Sequence, residues 1–503
     1  MAGEHRGLRR WSAGPAGATT RAVVAAWILV AANACGDAAL DPPVDDSLAD
    51  PPSLHVTHIS LLPHIPPPDH VGAPPDAGWP DAGQDVRWQG HLYNSGDETA
   101  DDVGFHWSVD GMAIADGSVD LPPGETVVEL PRTWTGSREE ISLRVEAPPG
   151  VAPERDDALT VLSDGLSVTL WMEAPLAEAF EEELGLGPFQ VWAGREVRAW
   201  NGTLDAYRSP EGPPEILDRL RLDVVEVLPT GSPRPKEVPT DLYWYWLTPS
   251  ARPIPKSLFV ENDMPLHEVL HQRGIGDLYS YWVLHGSPNG SEVLIREPDG
   301  SLAAGGERMP FLPPEQTGGR ESYVFQSPYW RRLMGTRHQR PARVDPHTAY
   351  GLNMRAGLRT PWWIDAFGNS LRGWSWDSQD ENDYKRYVPE RVRLHIVLDG
   401  EPAPAGVGVE AFFDHHVETY HNRHGPDPDV VAVTGRDGSA VVSLGGLMPP
   451  VGTEVDSDVI ILRVTEPDAS RWGYAFLPVY ELNMAYFHGD HDVTDLTVEV
   501  EPT

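Results

Sequence analysis

The chain has 503 residues, 40% of them hydrophobic and 23% charged, a globular composition with room for roughly two to four domains. Its 48 glycines and 50 prolines favour turns and short strands and exclude a long helical bundle. A formal charge of -38 repels phosphate backbones, which excludes nucleic acid as a partner.

Residues 1–35 have the make-up of an export signal. Arg6, Arg9, Arg10 and Arg21 precede an apolar run from Ala22 to Ala32, which is too short to span a bilayer. Cys35 is the single cysteine, so no intrachain disulfide can form. The Ala32-Asn33-Ala34-Cys35 stretch resembles the lipobox of bacterial lipoproteins, which implies a lipid on Cys35 and a membrane partner reached through it; the other reading is an ordinary secretory peptide cut nearby, which would leave the protein secreted. Gly36 in place of Asp implies the outer membrane. Residues 36–52, acidic and proline-rich, read as an extended tether.

Across residues 53–165, short alternating runs such as Val86 to Leu92 and Ile141 to Val145 are separated by turn signals at Asn94-Ser95-Gly96, Asp110-Gly111 and Pro122-Pro123-Gly124. This pattern predicts a β-sandwich. The NSG turn, the VDG hairpin and the LPPGET stretch resemble the CARDB-type immunoglobulin-like module of bacterial surface proteins, a resemblance that implies adhesion, spacing or support of a neighbouring domain. Asp156-Asp157 departs from that module's usual end.

Residues 166–387 mix helical segments such as Ala174 to Leu184 with strands such as Leu220 to Leu228, an α+β pattern rich in Trp and Tyr. Most of those rings are expected to fill the core, and a ring-lined substrate groove is the other use for them. Short strands return in residues 388–503, at Val392 to Leu398, Ala440 to Leu444, Val459 to Val464 and Leu496 to Val500. The DGEPAPAGVGVEAF and TGRDGSAVVSL stretches resemble a transthyretin-like β-sandwich. The expected fold is therefore multidomain, an α+β centre flanked by two β-sandwiches.

The chemistry concentrates in NDMPLHEVLHQRGIGDLY, Asn262 to Tyr279. Residues four apart share a helix face, so His267 and His271 can aim imidazole nitrogens at one cation. Glu268 then points beside that cation, where a general base must sit. Asn262 or Asp263 can cap the helix, Pro265 suits its first turn and Gly274 its end. Asp277, beyond the reversal, can return as third ligand and leave a fourth position open to water, as catalytic zinc sites do. A bare His-Glu-x-x-His arises by chance in roughly one chain in twenty of this composition, and the added Gly and Asp make the string far rarer.

The HEVLHQRGIGD string resembles the HExxHxxGxxD variant of the metzincin-like zinc peptidases. By that resemblance His267, His271 and Asp277 are the zinc ligands, Glu268 the base and Gly274 the turn. Met334 is the candidate for the family's methionine beneath the metal, with Met354 second; neither is followed by the usual tyrosine. Glu292 is the alternative third ligand, although its surroundings read as a strand. Tyr279 is close enough in sequence to stabilise an oxyanion or simply to pack. The implied activity is zinc-dependent cleavage of a protein or peptide substrate at the bacterial cell surface. The other reading is a non-enzymatic adhesion or scaffold lipoprotein. His415, His416, His421, His424, His488 and His491 show no ligand spacing and are expected in solvated loops.

Overall fold

The computed structural model describes residues 52–65, 79–147, 157–210, 212–232, 240–246, 256–260, 263–273, 275, 280–284, 292–293, 322–326, 332–334, 340–354, 356–357, 359, 388–413, 423–424, 427–445 and 459–500. The first body is a sandwich of β1 (Leu54–Leu62), β2 (Asp85–Asn94), β3 (Ala100–Val109), β4 (Met112–Leu121), β5 (Gly124–Thr133), β6 (Glu140–Glu146) and β7 (Ala158–Leu162). Its two antiparallel sheets have the orders β1-β2-β5 and β4-β3-β6-β7. Strict alternation along β2 sends Val86, Trp88 and Leu92 inward, where they meet Trp107, Ile141 and Leu143. The β3–β4 hairpin turns on Asp110 and Gly111, whose φ of 50° and 74° are the left-handed values a tight two-residue hairpin requires. In the NSG turn, the Asn94 side chain donates to the carbonyls of Glu98 and Leu121 and accepts from Gly96 N–H.

The central body is built on β8 (Leu166–Glu173), β9 (Leu220–Leu228) and β10 (Leu242–Trp246), a parallel sheet in the order β10-β8-β9. Parallel neighbours need a covering crossover, and α1 (Ala174–Glu182) and α2 (Phe189–Asp205) supply it between β8 and β9. All of β8 is buried; Leu166, Val168, Leu170 and Met172 form one face of its core. Phe189, Trp192, Ala193, Val197, Trp200 and Leu204 recur along α2 at helical spacing and fill the same core. The short α3 (Ser257–Val260) and α4 (Met264–His271) follow β10. β11 (Ser280–Leu284) pairs with the later β13 (Ser322–Gln326), β12 (Glu292–Val293) lies between them in sequence, and α5 (Pro346–Met354) closes the body. Asp345 caps α5: its carboxylate accepts from Thr348 N–H at 2.8 Å and from Thr348 Oγ1 at 2.7 Å.

The third body is a second sandwich. β14 (Arg391–Leu398), β15 (Glu401–Pro402) and β19 (Ser439–Ser443) form one sheet, which β22 (Val493–Val500) joins in parallel to β14. β16 (Gly408–Phe412), β18 (Val430–Val433), β20 (Val459–Thr465) and β21 (Trp472–Pro478) form the other, and the two-residue β17 (Arg423–His424) pairs with β12. Between β21 and β22 runs α6 (Val479–Phe487), whose Tyr480 belongs to the core of the central body.

Both sandwiches are docked on the centre. The outer face of β1 lies on α2, where Gly194 meets the Thr57 carbonyl so closely that a side chain there would collide, and Arg198 donates to Val56 O. Arg221 lies 5.5 Å over the Trp88 ring and Arg359 5.0 Å over the Trp79 ring. On the other side α5 packs against α6, with Tyr350 edge-on to His488 at 5.2 Å. No helix among the described residues is long and apolar enough to cross a membrane.

Candidate metal centre

α4 is held at both ends by buried polar groups. Pro265 sits in its first turn, as the sequence suggests. Asp263 occupies the N-cap position but makes no side-chain cap bond. Its carboxylate instead accepts from Arg340 Nε at 2.6 Å and from Ala342 N–H at 3.2 Å, and Arg340 also binds Glu196 of α2. A charge-assisted bond to a neighbouring segment has displaced the local cap, and it anchors the start of the helix to the body. Burial raises the pKa of Glu196, and the Arg340 guanidinium opposes that rise.

At the far end, Gln272 clamps the edge of the sheet. Its Oε1 accepts from Tyr243 N–H at 3.0 Å and its Nε2 donates to Tyr243 O at 2.8 Å, in the manner of a neighbouring strand. Arg273 is fully buried and donates to Asp218, which also accepts from Gly357 N–H. Leu266, Val269 and Leu270 face the central core, so the helix is fixed by packing as well.

Between these anchors lie the two histidines, His267 at 1% exposure and His271 at 6%. His267 Nδ1 lies 2.8 Å from Leu333 O, and His271 Nδ1 lies 2.7 Å from Ile275 O. A carbonyl oxygen only accepts, so each Nδ1 carries a proton, and in the neutral tautomer that a metal requires each ring presents its lone pair at Nε2. The two Nε2 atoms face one another at 3.1 Å, with the rings at 87°. Two lone pairs at that separation repel unless a positive species lies between them. A zinc ion about 2.0–2.1 Å from each of two adjacent ligands sets their nitrogens about 2.9–3.4 Å apart, so the pair fits such an ion. Backbone carbonyls behind both imidazoles are the usual outer shell of metal-binding histidines.

Glu268 is half-buried on the same helix. Met334 is fully buried and follows Leu333, the residue whose carbonyl holds His267; both belong to the core beneath α4. Ile275 N–H returns to Leu270 O, so the chain doubles back right after the helix and brings the Ile275 carbonyl to His271. Gly274, Asp277, Tyr279 and Cys35 lie outside the described residues, as do residues 1–50 and His415, His416 and His421. Glu292 lies in β12 and Met354 in α5. His488 and His491 do not converge: His488 packs on Tyr350, and His491 on Tyr486 at 4.5 Å.

A group that the sequence reading missed lies elsewhere. His58, His91 and Glu125 of the first sandwich offer ligand atoms that all lie within 4.8 Å of one another. They come from three strands, so no local spacing could reveal them.

No protein-family model matches the chain, and no curated protein matches it. Among solved structures it is similar to the CARDB domain of a Pyrococcus furiosus protein, determined in complex with di-metal ions. That match has 19% identity and a TM-score of 0.16, over 22% of this chain and 90% of that one. It is also similar to the 272–376 domain of a protein from Methanosarcina acetivorans described as a cell surface protein, with 21% identity and a TM-score of 0.15, over 22% of this chain and 89% of that one.

Proposed function

We propose that this protein is a zinc-dependent endopeptidase displayed at the bacterial cell surface, tethered through a lipid on Cys35, with a protein or peptide as substrate. The single observation that carries this reading is the Nε2-to-Nε2 approach of His267 and His271 at 3.1 Å, with both Nδ1 atoms committed to backbone carbonyls. His267 and His271 would hold the ion, with Asp277 the expected third donor. Bound there, zinc supplies Lewis acidity, polarising a scissile carbonyl and easing loss of a proton from water.

The rest falls to the chain. Glu268 neighbours both ligands on α4 and is half-buried, open enough to meet solvent and shielded enough for its charge to count. It accepts a proton from the attacking water as the C–O bond forms. It then delivers that proton to the amide nitrogen as the C–N bond breaks. Anchors at both ends of α4 hold the base and the two imidazoles in one register, so little reorganisation accompanies proton transfer.

Zinc content and casein hydrolysis test this together. The wild-type chain is expected to carry zinc in the α4 site and to cleave casein in a chelator-sensitive way. His267→Ala should lose both that zinc and the activity, whereas Glu268→Gln should keep the zinc and lose at least a hundredfold in rate. Hydrolysis indifferent to Glu268→Gln overturns the peptidase reading. Zinc binding with no hydrolysis in the wild type points to the scaffold reading instead.

A further inference from the structure

We propose that His58, His91 and Glu125 form a second divalent-cation site, on the seam between the first sandwich and the central body, for an ion of the zinc, nickel or copper(II) class. The cross-strand register brings the trio together. His58 of β1 stands opposite His91 of β2, and Glu125 of β5 lies diagonal to His91, whose direct partner is Val127. A register shift in β1 between Val56 and His58 leaves Thr57 as the extra residue. That bulge sets His58, rather than Thr57, against His91.

The surroundings prepare His58 as a ligand. Thr57 Oγ1 donates to His91 O at 3.1 Å, so its lone pair faces His58 Nδ1 at 3.0 Å. His58 therefore carries its proton on Nδ1 and presents Nε2 as a base. His91 places Nδ1 3.1 Å from Glu125 Oε1 and Nε2 3.1 Å from Ser60 Oγ. Glu125 is 40% exposed, which leaves the group an opening to solvent. Its carboxylate offsets both the incoming charge and that of Arg198, the cation that α2 turns toward His58.

The two rings stack at 3.7 Å and 13°. Parallel rings aim their in-plane lone pairs side by side, so a shared ion turns His91 out of the stack, with Nδ1 the donor beside Glu125 Oε1 and Nε2–H left to Ser60 Oγ. Two imidazoles and one carboxylate are a donor set that suits zinc, nickel and copper(II) and disfavours magnesium and calcium.

The test uses the full chain with zinc chloride as probe, and it is independent of the α4 site. His267→Ala should still bind one zinc per chain by calorimetric titration. Adding Glu125→Gln, an exposed change that spares the fold, should weaken that zinc at least tenfold, and His58→Asn should abolish it. Casein hydrolysis by the single Glu125→Gln variant should match the wild type. If His267→Ala binds no zinc, or if Glu125→Gln leaves its titration unchanged, the second site does not exist. Failure of the peptidase reading would leave the titration as predicted, so the two outcomes are distinguishable. Should His58→Asn unfold, the folded Glu125→Gln chain still decides the matter.

Discussion

At the scale of single residues, the candidate centre depends on groups outside the histidine pair itself. Gln272 follows His271 and makes two hydrogen bonds to the Tyr243 backbone, so the end of α4 is tied to the edge of β10. Replacing it with Ala should cost about 1–3 kcal/mol, the range for losing paired hydrogen bonds in a partly shielded site. Gln272→Glu is expected to be worse than Gln272→Ala. The carboxylate still accepts from Tyr243 N–H but sets a second oxygen against Tyr243 O, where the native amide donates. Urea denaturation gives the order of the two variants, and equal stability of Gln272→Glu and wild type would show that the clamp contributes nothing. Leu333 holds His267 through its backbone carbonyl while its side chain fills the core, so the volume-conserving Leu333→Met should leave zinc affinity little changed.

At the scale of elements, α5 and α6 meet through a buried histidine. His347 is 3% exposed; burial lowers its pKa from 6.5 to about 3, partly opposed by its hydrogen bond with Asn483. The folded protein thus keeps this ring neutral while the unfolded chain protonates it near its ordinary value. The resulting stability is complete above about pH 6.5 and is lost as pH falls toward 3, at up to about 1.4 kcal/mol per pH unit. Asp345, raised by burial, acts in the opposite direction. The difference between wild type and His347→Gln isolates the histidine: the variant should lose less stability between pH 6.5 and 4, and parallel curves would refute the assignment. The elements themselves were largely legible in the sequence, because alternation and turn chemistry are local. Leu220 to Leu228, read as a strand from its composition, is β9 to the residue. What the sequence could not convey is non-local. Asp263 has the composition of a helix cap, yet its carboxylate is taken by Arg340, 77 residues on. His58 and His91 meet only because β1 pairs with β2 through a bulge. In the α4 motif, by contrast, the spacing itself brings His267 and His271 together, because one helical turn separates them.

At the scale of the whole molecule, the first sandwich is joined to the central body by side chains that belong to neither alone. Arg221 of β9 forms a two-pronged pair with Asp223, at 2.7 and 3.0 Å, with both side chains almost fully buried. The same guanidinium donates to Ser163 O and Gly165 O at the junction and covers Trp88 of the sandwich core. Arg359 repeats the arrangement with Asp241 and Trp79, and Trp79 Nε1 donates to Gly357 O. The sandwich is therefore a structural wall of the body that carries α4, and the two should unfold together. Arg221→Met leaves the Asp223 carboxylate buried without its partner, which typically costs about 3–5 kcal/mol. Arg221→Met combined with Asp223→Leu should recover much of that loss, because neither half of the pair is then left as an unpartnered buried charge. Calorimetry reads both effects: one transition covering sandwich and centre, lowered in Arg221→Met and partly restored in the double variant. A separate sandwich transition at unchanged temperature in Arg221→Met would mean that the two bodies fold independently and that the seam transmits nothing between them.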